Sequence, residues 1–97
     1  MSDLLATFGP ADSDAELLTR IAAYRPDRVT VLLENVDADW ASDESRTGEA
    51  IRDRLATLMA AIERRTAATV VGYAGDRAQL EGWRFDRELS AGVPVPA

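Results

Sequence analysis

The stretch that most constrains this chain is RVTVLLE, residues 28–34. Four of its seven residues are apolar, and the threonine standing among them is β-branched. Such a run does not alternate with polar residues, as a strand with one wet face would. It suits a strand covered on both faces, the usual condition in a parallel sheet. A parallel strand needs a crossover to reach its neighbour, so helical periods are expected on either side. They are present. Before it, residues 14–25 place Leu17, Leu18, Ile21 and Ala22 on one helical face, and Pro26 stops the run. After it, Ile51, Leu55, Leu58, Met59 and Ile62 carry a longer amphipathic helix from about Thr47 to Arg65.

The remaining segments extend the pattern. DLLATF, residues 3–8, closed by Gly9-Pro10, predicts a first strand, and AATVVGYA, residues 67–74, predicts a third. Gly75-Asp76 opens a short helical turn over 77–81, with Gly82 just past its end. WRFDREL, residues 83–89, alternates, with Trp83, Phe85 and Leu89 on one side; it reads as a half-exposed fourth strand. Only eight residues would then separate strands three and four, so the fourth is expected to be antiparallel or at an edge. The fold class is α/β. The expected architecture is a small three-layer α/β/α domain over 1–97 with a mainly parallel sheet, β-α-β-α-β plus a turn and an edge strand. Residues 90–97 form an extended, proline-restricted tail.

Composition excludes much chemistry. Of the 97 residues none is Cys, His or Lys, and all eleven cationic side chains are arginine. Disulfides, thiolate nucleophiles, serine–histidine triads, histidine-ligated zinc, Walker lysines and Schiff bases are all absent with them. A formal charge of −6 argues against a nucleic-acid partner, since neutralising phosphates supplies most of that affinity. No apolar run approaches the ~18–20 residues of a membrane span, and MSDLLATF has neither a basic start nor a long apolar core. A cytoplasmic chain without a membrane partner is expected.

The segment FGPADSDAE, residues 8–16, sits where ligands bind in open parallel sheets, outside the carboxyl end of a strand. Its residues describe a helix start: Ser13 caps the amide of Glu16, and Asp14 and Glu16 favour the positive end of the helix dipole. Three carboxylates in five residues oppose a phosphate there. With the acidic loop 35–46, NVDADWASDESR, they allow a divalent cation instead, with Asp37, Asp39 and Asp12 as oxygen ligands. Asp76, Arg77, Asp12 and Trp40 are candidate ligand contacts at the same edge, Arg77 being the best-placed cation for an anion. Arg52, Arg54, Arg64 and Arg65 read as a solvated helix face. Trp83 and Phe85, aromatic and on an edge-type strand, are candidates for a dimer interface.

Taken together, DLLATF leading into a loop and helix, the apolar strand RVTVLLE, a long helix into TVVGYA, and the proline-containing end GVPVPA resemble a shortened universal stress protein over residues 3–75. The ATP-binding members of that family carry G-x-x-G followed by a distant G-[ST]; Gly72, Gly75 and Gly82 do not match it. Phe8-Gly9-Pro10 stands where those members place an acidic adenine contact. The resemblance therefore implies a homodimeric relative without nucleotide. The expected function is a non-enzymatic regulatory or protein-interaction module, homodimeric, with no cofactor. Two alternatives stand beside it: a Mg²⁺-dependent phosphoryl-handling enzyme using the acidic cluster, and a nucleotide-sensing domain of the stress-protein type with Arg77 near phosphate.

Overall fold

The computed structural model describes residues 3–9, 12–34 and 46–91, with the side chains of residues 47 and 77 outside the description. The order is β1 (Asp3–Phe8), α1 (Asp14–Tyr24), β2 (Arg28–Glu34), α2 (Arg46–Thr66), β3 (Thr69–Gly75), a 3-10 turn (Arg77–Leu80) and β4 (Arg87–Ser90). The four strands form one parallel sheet in the order β3-β2-β1-β4. This is the α/β architecture that alternating strand and helix patterns call for.

Each helix has a legible cause. Ser13 is the N-cap of α1, its hydroxyl accepting from the Glu16 amide at 3.3 Å, and Asp14 and Glu16 fill the acidic first turn. The helix ends at Arg25, left-handed at φ 50, directly before the buried Pro26. In α2, Ile51, Leu55, Leu58 and Ile62 are buried, as their period demands.

Strand alternation divides the core in two. Leu4, Ala6 and Phe8 of β1, Val29, Val31 and Leu33 of β2, and Val70 and Ala74 of β3 face both helices, forming the larger cluster with Leu17, Ile21 and the α2 stripe. Leu5 and Leu32 face the other way, where Leu80 covers them and Tyr73 and Phe85 pack alongside. The second face thus has a thin layer built from the 3-10 turn and aromatic side chains. RVTVLLE is buried on both sides, which is why its sequence shows no alternation.

The fourth strand differs from the expectation in extent and facing. It covers Arg87–Ser90 rather than 83–89, and it runs parallel to β1 at the sheet's edge. Ser90, expected in the tail, belongs to the strand. The connection 76–86 is then close to the dozen or more residues a parallel crossover takes, so no reversal of direction is needed. Trp83 and Phe85 lie in this crossover and not on a strand. Phe85 packs on the second face, with Trp83 beside it, while Leu89 packs on the first, so Leu89 does not share the side of the two aromatics as the alternation predicted. The crossover ends where the Asp86 amide donates to the Asp3 carbonyl at 2.9 Å and the Asp3 amide donates to the Asp86 carboxylate at 2.8 Å. That pair sets β4 in register with β1.

Candidate functional site

α1 and α2 pack on one face of the sheet and the 76–86 crossover on the other, so chain direction across the sheet reverses between β1 and β4. The carboxyl end of that pair is the place where open α/β sheets bind ligands. Here the described residues close the position upon themselves. Thr7 donates through Oγ1 to Ser90 Oγ at 2.9 Å, and the Ala91 amide donates to the Thr7 carbonyl at 2.8 Å. Arg20 reaches across from α1 to the Ser90 carbonyl at 3.3 Å.

The loop after β1 is held as tightly. The Gly9 amide donates to the Asp12 carboxylate at 2.7 Å, and the Asp12 amide returns to the Gly9 carbonyl at 3.1 Å. Above it stands Arg54 of α2. Its Nε and Nη2 donate to Asp14 Oδ1 at 3.1 and 2.8 Å, and Nη2 also meets the Asp12 carbonyl at 2.7 Å. The guanidinium carbon lies 4.9 Å from the centre of the Phe8 ring. One arginine therefore ties the end of β1, the loop and the start of α1 to α2. Read as part of a solvated charge run, Arg54 is instead a partly buried clamp. The available signal was its place three residues after Ile51 and four before Leu58, on the border of the buried face.

The candidate ligands divide as follows. Asp12 is at the edge, with its carboxylate turned back onto the Gly9 amide. Asp76 caps the 3-10 turn, accepting from the Ala78 amide at 3.2 Å, and is exposed. The side chain of Arg77, and all of Asp37, Asp39 and Trp40, lie outside the described residues. Among the described residues no three acidic side chains gather as a metal-holding group, and no helix is long and apolar enough to cross a membrane.

The second feature is an aromatic cluster on the sheet's second face. Trp83 stands edge-on to Tyr73 with ring centres 5.4 Å apart and lies 6.4 Å from Phe85. Phe85 and Tyr73 are half-buried, whereas Trp83 is 44% exposed. Tyr73 was hidden in the apolar run of β3; its parity, opposite to Val70 and Ala74, is what sends it to this face.

The third feature is a groove along the β3 edge. Arg52, Ala56, Met59, Ala60 and Glu63 of α2 line one wall, with Leu55 and Gly72 at its base. A Cβ on Gly72 would lie 2.7 Å from the Met59 sulfur and 3.6 Å from Leu55, so the helix rests directly on mid-strand.

The chain matches no protein-family model, and no curated protein is significantly similar to it.

Proposed function

We propose that this chain is a cytoplasmic, non-enzymatic regulatory or interaction module that works as a homodimer, with Trp83, Phe85 and Tyr73 at the contact. The supporting observation is the aromatic cluster: three rings ordered against one another, with the largest of them 44% exposed. Large aromatic side chains with one face left open are the residue type that anchors protein contacts. Residue chemistry supports the same reading. A chain without Cys, His or Lys has no thiolate or amine nucleophile and no imidazole base, and among the described residues Thr7, Gly9, Asp12, Ser90 and Ala91 at the carboxyl end of β1 and β4 are hydrogen-bonded to one another.

Mass measured by light scattering across a concentration series tests the proposal. A dimer that becomes monomeric on Trp83→Glu, with an unchanged circular dichroism spectrum, supports it. A wild-type chain that remains monomeric at high concentration would discard it.

A further inference from the structure

The two edges of the sheet are built differently. β4, RELS, is short and carries Arg87 and Glu88, charges that discourage another strand from pairing. β3, TVVGYAG, is seven residues long and has no charge and no proline. Among the described residues its outer side pairs with no strand. An edge of that composition is a template for strand addition, and the charges that guard β4 are missing from it.

The groove above this edge has a charge pattern that suits a copy of itself. Arg52 stands at one end and Glu63 at the other, about 16 Å apart along the helix. Between them Ala56 and Ala60 keep the wall low. The middle of that stretch falls at residues 57–58, and the side chains that flank it, Leu55 and Met59, sit on Gly72. Gly72 is in turn the central residue of Thr69–Gly75. The helix stripe and the strand therefore share one midpoint. A two-fold axis there reverses both at once, and an isologous contact requires the patch to complement itself.

We infer that a second copy of this chain docks on the β3 edge: β3 pairs antiparallel with β3 of the partner subunit about an axis at Gly72, and Arg52 faces Glu63 of the partner subunit at each end of the paired α2 helices. The four-stranded sheet becomes a continuous eight-stranded one. On the second face the same axis sets Tyr73 beside Val71 of the partner subunit, with Trp83 next to the junction. The inference rests on the self-association proposed above and specifies its geometry. The partner is the chain itself because the charges at the ends of the groove are opposite, which is the arrangement a two-fold contact needs and which a neutral peptide does not use.

Charge reversal on the full chain is the test, read as the dimer dissociation constant from analytical ultracentrifugation. Arg52→Glu and Glu63→Arg each create two like-charge pairs across the axis and are expected to weaken the dimer by about tenfold or more. The double variant restores opposite charges and returns to within about threefold of wild type. Arg52 is half-buried and Glu63 exposed, and an unchanged circular dichroism spectrum below the dissociation constant confirms the fold. Amide hydrogen exchange gives a second reading: β3 amides gain protection as concentration rises through the dissociation constant. A monomeric wild type overturns both this inference and the reading it rests on. A dimer lost with Trp83→Glu but indifferent to either single reversal overturns this inference alone. A dimer weakened by both single reversals but not recovered in the double, or lacking β3 protection, also overturns it.

Discussion

Arg54 holds Asp14 across 40 residues of chain, with Nη2 2.8 Å and Nε 3.1 Å from the same carboxylate oxygen. The guanidinium also serves the Asp12 carbonyl and covers Phe8, so it joins the end of β1 and the start of α1 to α2. Asp14 is in addition an acidic residue in the first turn of α1, which gives its charge two reasons to be there. The arginine is about one-fifth exposed and its partner two-fifths, which keeps the pair above the near-zero value of an open surface bridge.

Removing that clamp is the first prediction. Arg54→Ala should lower stability by about 1–2 kcal/mol in urea denaturation. Arg54→Lys should recover less than half of the loss, because an ammonium lacks the fork that reaches Asp14 and the Asp12 carbonyl together. If lysine restores full stability, the geometry of the guanidinium is immaterial and charge alone carries the contact.

The second prediction concerns the thin layer. Leu80 is fully buried and is the side chain with which the 3-10 turn covers Leu5 and Leu32. Leu80→Ala should cost about 2–4 kcal/mol. It should also change tryptophan fluorescence, since the Trp83 ring follows the same crossover. A loss below about 1 kcal/mol would mean that the crossover is held by the Asp3–Asp86 bonds instead.

Two backbone positions yield opposite outcomes. Ala67 closes α2 at φ 59, with its amide donating to the Glu63 carbonyl at 3.0 Å, and its side chain is exposed. Ala67→Gly relieves the left-handed strain and should raise stability by about 0.5–1 kcal/mol. Gly75, at φ 134, has Gln79 where a Cβ would go, 2.5 Å away. Gly75→Ala should lower stability by about 1–3 kcal/mol. Melting temperatures that move in the same direction for both would contradict this account of the strain.

Sequence alone determined the element order. The buried run RVTVLLE, the period of Ile51, Leu55, Leu58 and Ile62, and the Ser13 cap are local signals, and each formed the element it predicted because burial and capping act over a few residues. The tertiary structure decided what depends on distant neighbours. Which strand β4 would join, and that it would run parallel, follow from the Asp3–Asp86 bonds and from Leu80 crossing the second face; neither is visible in WRFDREL, where the alternation runs across the boundary between two layers. The same holds at the candidate site. In the sequence Arg54 is one of several arginines on a helix, and Tyr73 is one residue of an apolar strand. Packing α2 against the start of α1 makes the first a clamp, and the facing of β3 sets the second against Trp83, because side-chain partners are chosen by the folded surfaces and not by spacing along the chain.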